Sequence, residues 1–232
     1  MTTADSPNRA DGWTAAVRQR LGLGRLLPLG EPADGSWIAE RAAAAVLRDA
    51  VAGSGAVLGP LRIAPADPDN APEPVVPGPP SALPPGPLRI EAAFAATARR
   101  PLPATADALR AVLLAAAERL GLVVDEVDLR VTELLDEEPE RAAPEPAEAR
   151  AAEADGAAGT AAAGVPGVVC LTRALGSPVH SGPGYVRVEL ATAGDHRALD
   201  VARAVREAVS GAVEGRPAVA VLVTAVVDPD RG

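Results

Sequence analysis

The residues of this 232-residue chain that could do covalent or acid–base chemistry are few and far apart. Cys170 is the only cysteine, and His180 and His196 are the only histidines. A thiol with an imidazole ten residues away could form a nucleophile–base pair. Cys170, however, sits in the apolar run Val168-Val169-Cys170-Leu171, whereas His180 sits among Ser, Gly and Pro. Those contexts favour an inert, buried cysteine over an activated one. One cysteine and two histidines spread over 27 residues also fall short of a tetrahedral zinc set. His196 directly follows Asp195, a pair that reads as an ordinary helix cap.

The glycine motifs are equally bare. Gly22-Leu23-Gly24 and Gly53-Ser54-Gly55 are tight Gly-x-Gly segments, but neither follows a strand and opens a helix, as a dinucleotide loop must. Ser181-Gly182-Pro183-Gly184 has the outline of the GxxG loop of KH-type RNA binders. No arginine cluster flanks it, and proline stiffens it. A KH-like nucleic-acid-binding module is therefore the alternative expectation, not the first. The expectation is no catalytic, cofactor-binding or metal-binding residue, no cofactor, and no small-molecule substrate.

These sparse groups must be carried by elements that the apolar spacing defines. Residues 1–10 read as a leader. Over 13–27, Trp13, Ala16, Val17, Leu21 and Leu23 recur at helical spacing, decorated by Arg18, Arg20 and Arg25. A second, Ala-rich helix is expected over 37–51, capped by Ser36 and ended by the Gly53-Ser54-Gly55 turn. A short strand over 57–63 follows, demoted to an edge by Pro60. The stretch 60–87 holds eleven prolines, a density at which no regular element is expected. Strands are then expected over 88–97 and 127–131, around a helix over 107–120 that Gly121 stops.

Beyond an acidic, Ala/Pro-rich linker, with a helical portion expected over 147–154, the pattern returns. Strands are expected over 168–175, 185–192 and 217–227, with a helix capped by Asp195 between the last two. The last strand is apolar on both faces, which predicts a central or covered position. Leu88-Arg89-Ile90-Glu91 matches Val186-Arg187-Val188-Glu189, and residues 129–136 match 221–228. The expected fold is therefore α+β: two repeated units of helix, strand, strand, helix, strand, each a three-stranded mixed sheet with helices on one face, plus disordered Pro/Ala-rich segments. The expected division is a leader with a short amphipathic helix over 1–30, a first unit over 31–136, a linker over 137–160 and a second unit over 161–232. Each strand–helix–strand passage predicts a parallel pair with a right-handed crossover.

Composition narrows the function classes. All 22 basic residues are arginine, and the formal net charge is −9. Residues 133–155 alone carry a net charge of about −7, so one linker holds most of the acidity. A basic nucleic-acid footprint is absent from the chain as a whole. Aromatics make up only 2% of it, so its Ala/Val core buries little area per residue. The lone cysteine suits a reducing compartment, and the amino terminus has no apolar signal-peptide run. A cytoplasmic protein is expected, with peripheral membrane contact open to it.

Four segments give the chain a family resemblance. They are Ile38-Ala39-Glu40-Arg41-Ala42, Val165-Pro166-Gly167-Val168, Val186-Arg187-Val188-Glu189 and, the closest match, the run from Leu120 through Val123, Val124 and Asp125 to Leu129. Together they resemble the alkaline shock protein family of the bacterial envelope stress response. The chain departs from that family in its proline loop and its duplication. Its head, from Leu21 to Leu29, resembles that of actinobacterial proteins of similar layout. The resemblance implies a non-enzymatic scaffold that self-associates or binds a membrane-associated protein partner, and it supplies no catalytic residue. Two surfaces are expected to serve: Trp13, Val17, Arg18, Leu21, Leu23 and Arg25 as a partner or membrane surface, and Val219, Val221 and Val223 as a sheet interface.

Overall fold

A computed structural model describes residues 22–137 and 149–228. Trp13, Val17, Arg18 and Leu21, and the centre of the acidic linker, lie outside the described residues. The fold is α+β, with four helices, a three-stranded mixed sheet and a larger sheet of seven strands among the described residues.

The chain enters the large sheet through β1 (Leu26–Leu29) and β2 (Ser36–Ala39), an antiparallel pair. Residues 26–27 and 37–39 were expected to be helical. They are strands because β2 docks parallel to the final strand, a pairing that local alanine propensity does not anticipate. The helix α1 (Glu40–Val51) therefore starts after Ala39, and Ser36 does not cap it: its hydroxyl donates to Asp34 O instead. The small sheet follows, from β3 (Ala56–Pro65), β4 (Leu88–Thr97) and β5 (Val124–Leu135). β4 is central, antiparallel to β3 and parallel to β5. Pro60 sits where the β3 register slips, between Leu58 and Leu61, so the edge strand absorbs it.

The helix α2 (Leu102–Leu120) crosses from β4 to β5. It begins five residues before the expected start, because Pro103 falls in the first turn, where a missing N–H costs nothing. Gly121 closes it with φ +93°, and a Cβ there would collide with Leu199. The carbonyl of Gly121 also accepts from Gly30 N at 2.8 Å.

The rest of the chain completes the large sheet. β6 (Ala151–Ala152) occupies part of the segment expected to be helical, and the helix α3 comes later, at Gly156–Ala163. β7 (Val168–Thr172) and β8 (Val179–Gly182) pair in succession with β9 (Tyr185–Ala193). The helix α4 (Ala198–Ala212) leads to β10 (Ala218–Val227), which is parallel to β9 on one side and to β2 on the other. The sheet order is β1, β2, β10, β9, β7, β6, with β8 also on β9. The second half is thus not a three-stranded sheet of its own, because β1 and β2 from the first half extend it.

One hydrophobic core joins the two sheets. α1 packs on β2 and β10 of the large sheet and on β3 of the small one, α2 packs on β5 and α1, and α4 packs on β10. The helices thereby form a layer between the sheets. On the large sheet, register places Trp37, Leu222 and Glu189 on one face, and loops cover it. Trp37 Nε1 donates to Leu83 O at 3.2 Å, and Leu175 N donates to Glu189 Oε2 at 2.9 Å. The proline-rich stretch is irregular after Pro65, yet it is no free coil. Val76 is buried, and Leu83 N donates to Leu26 O.

Candidate functional site

Cys170 stands opposite Ala191 and His180 opposite Arg187, four residues apart along β9. At the rise of a strand that separation is about 13 Å, so thiol and imidazole do not form a dyad. Cys170 is half-buried, not buried as expected, and that partial burial pushes its thiol pKa up, which keeps it protonated. His196 Nδ1 lies 2.8 Å from Asp195 Oδ1, and this hydrogen bond is the main cause that lowers the Asp195 pKa. The pair is not a cap: α4 begins at Ala198 after Arg197, without a side-chain cap. Ser181-Gly182-Pro183-Gly184 forms the tip of the β8–β9 hairpin, and the nearby Arg187 turns inward.

The two described members of the expected amino-terminal surface are used inside the molecule. Leu23 is buried in the core. Arg25 Nη2 lies 2.9 Å from Glu40 Oε1 and donates to Ile63 O at 2.6 Å. Ile63 N donates in turn to Glu40 Oε1, so this ion pair ties the start of α1 to β3. Val219, Val221 and Val223 are buried in a central strand, whose five residues from Val219 to Val223 are covered on both faces by this chain. They form no open surface.

A polar pair that sequence reasoning did not single out lies beneath the 173–178 turn. Glu189 is fully buried and receives Arg187 Nη2 at 3.3 Å and Leu175 N at 2.9 Å. Burial is the largest influence on its carboxyl and raises its pKa, against the hydrogen bonds and the Arg187 charge. With Glu189 sealed from solvent and its oxygens occupied, the pair clamps the turn onto β9 and offers a ligand no approach.

An open surface lies along β5. This strand is an edge of the small sheet, and its exposure grows toward its end. Val127 is buried, whereas Val131 is 37% and Leu134 57% exposed. Arg110 Nε, from α2, donates to Val127 O at 3.2 Å and shields the edge there. No such bond to β5's outer edge is seen beyond Val127 among the described residues. The outer face of the small sheet carries charges of both signs. Arg89 Nε lies 2.6 Å from Glu126 Oε2 and 4.0 Å from Asp128 Oδ2, and Arg130 has no ion-pair partner among the described residues. A shallow depression of about 440 Å³ crosses this face between Arg62, Glu91, Asp128 and Arg130. The alternation of β5 is plain in the sequence. The signal for its open end is the adjacent pair Leu134-Leu135 directly before the acidic linker, which no single buried face can accommodate.

Comparison with family models, curated proteins and solved structures finds no match to this chain. Among the described residues, no group of three or more His, Cys, Asp or Glu side chains is placed to hold a metal ion. Nor is any helix there long and apolar enough to cross a membrane.

Proposed function

We propose that this chain is a non-catalytic scaffold of the alkaline shock type, acting by self-association or by binding a protein partner, a membrane-associated one included. The observation that carries the reading is the exposed apolar end of an edge strand, Val131 and Leu134 on β5. An unpaired strand edge presents free N–H and C=O groups and is a template for another strand. Exposed apolar side chains on that edge add contact area that solvent does not reward.

The two halves are copies of one unit in this reading. In support, β4 pairs antiparallel with β3 and parallel with β5, and β9 pairs antiparallel with β7 and parallel with β10. A helix precedes each set, and a helix makes each parallel crossover. A duplicated unit with two different sheet surroundings suits a scaffold: one copy is enclosed by β1 and β2, and the other keeps its edge open.

A photo-crosslinking residue placed at Val131 or Leu134 of the full chain, expressed in cells of its source, tests the reading. Covalent protein adducts are expected from both positions and none from Val75, an exposed valine on the proline-rich loop. Absence of adducts at both β5 positions would overturn it.

A further inference from the structure

We infer that β5 pairs antiparallel with β5 of a second copy of this chain, about a two-fold axis through Leu129, joining the two small sheets into one of six strands. This rests on the scaffold reading above and names its partner.

Val127 is in register with Ile90, yet its carbonyl accepts from Arg110, so it points away from β4. Alternation then turns the backbone groups of Leu129 and Val131 outward as well. The β4–β5 register slips only near residues 125 and 132, so 126–131 is the regular stretch available for pairing. In a two-fold antiparallel pair centred on Leu129, Leu129 meets Leu129 of the partner copy, and Val127 meets Val131. All are residues with outward backbone groups, as hydrogen-bonded pairs of that ladder require.

Charge selects this centre over its neighbours. Centred on Leu129, Asp128 faces Arg130 of the other copy, twice. Centred on Val127, Glu126 would face Asp128. Centred on Asp128 or Arg130, that residue would face its own like charge. Centred on Val131, Arg130 would face Thr132, outside the regular stretch. Opposite charges directly across a ladder stabilise it and like charges weaken it. Arg130 is available for this role, and Asp128 is only 4.0 Å from Arg89, whose closer partner is Glu126 at 2.6 Å.

The symmetry also suits the helices. An isologous two-fold contact sets α2 beside its copy on the same face of the joined sheet. Leu114, one turn along α2 from Arg110, is 38% exposed on that flank. The Arg110 guanidinium occupies Val127 O in the unpaired chain, so it must swing aside for the ladder to close. Its side chain is 41% exposed, and its bond to Asp107 of its own helix gives the guanidinium a partner after it leaves Val127 O.

The test is sedimentation equilibrium and native mass spectrometry on the full chain and its charge variants. Wild type forms a dimer. Asp128→Arg sets Arg against Arg twice, and Arg130→Asp sets Asp against Asp twice. Each weakens association by about ten-fold or more, from two pair interactions reversed. An equimolar mixture of the two variants forms the heterodimer, and the double variant D128R/R130D restores the dimer, because both keep opposite charges across the ladder. Arg110→Ala tightens the dimer by freeing Val127 O. A dimer indifferent to the single variants, or one that neither the mixture nor the double variant restores, overturns this pairing and leaves the scaffold reading standing. Crosslinks from Val131 only to a different protein do the same. A chain monomeric at millimolar concentration overturns the pairing, and with no crosslinks at all the scaffold reading falls too.

Discussion

Arg203 Nε donates to Asp34 Oδ1 at 2.7 Å, and its Nη2 donates to Asp34 Oδ2 at 3.0 Å, a two-point bridge between residues 169 apart. Asp34 lies in the turn between β1 and β2, and Arg203 lies on α4. The bridge therefore fastens the first-half hairpin to the helix behind the second-half strands. Asp34 is 8% exposed and also accepts from Glu31 N at 2.8 Å, so its oxygens are nearly all used. Next to it, Arg206 Nη1 donates to Ala33 O and Arg206 Nε to Val219 O, which holds the same turn against β10.

Removing the Asp34 carboxylate takes the acceptor from the Glu31 amide and leaves Arg203 with only Asp200, 3.8 Å away on its own helix. The Asp34→Ala variant is expected to lose about 2 kcal/mol of unfolding free energy. The cost stays at that level because about half of Arg203 faces solvent and can be rehydrated. Urea denaturation measures it. In a double-mutant cycle with Arg203→Ala, a coupling near zero would show that the bridge is not what holds the turn.

Three carboxyls, Asp34 and Glu189 buried and Glu40 half-buried, predict opposite pH responses. For Asp34 and Glu40, burial acts to raise the pKa, but the arginine hydrogen bonds and charges and the backbone N–H donors outweigh it and hold both below the ordinary range. Their contribution to stability is thus fully present above the unfolded carboxyl pKa of about 4 and is lost as pH falls through the folded values. Glu189 is raised by burial, so its contribution is largest below the unfolded pKa and is lost as pH rises through the folded one. Denaturation midpoints taken from acid to neutral pH should show wild type gaining on Glu40→Gln as pH rises and losing ground to Glu189→Gln over the same range. Parallel curves for wild type and Glu189→Gln would refute the raised value.

What the sequence makes legible follows from how local each cause is. The alternation Val186-Arg187-Val188-Glu189 and the two-faced apolar run from Val219 to Val223 identify β9 and the central β10, because burial is written in the side chains themselves. The helix α2 is legible from Leu109, Leu113, Ala116 and Leu120, and only its start is obscured by prolines that the first turn tolerates. Ser36-Trp37-Ile38-Ala39 is not legible as a strand. Its conformation comes from pairing with Val221, Leu222 and Val223, nearly two hundred residues away, and the helical pattern of the alanines that follow in α1 runs back over it. β8 is hidden likewise, since His180, Ser181 and Gly182 are extended only because β9 offers them an edge. For the candidate surface, the alternation of β5 is in the sequence, but its place at the edge belongs to topology. The buried pair Arg187 and Glu189 reads as an exposed polar face until the 173–178 turn is seen to cover it.

The proline-rich loop holds to the large sheet through Trp37. The indole is buried, its Nε1 donates to Leu83 O, and its ring packs close to Gly78. Leu83 N donates to Leu26 O at 2.8 Å, and Ala82 bridges Leu26, so this stretch of loop shields the free edge of β1. In a Trp13→Phe background Trp37 is the sole tryptophan, and its emission should be that of a buried indole. Leu83→Pro removes the N–H that Leu26 O accepts, and proline at that position cannot replace it. The loop should then lift at denaturant concentrations below the global transition, with Trp37 emission moving to longer wavelength before the helical circular dichroism signal is lost. Coincident transitions for both probes would mean that the loop is part of the cooperative core and not a strap laid over it.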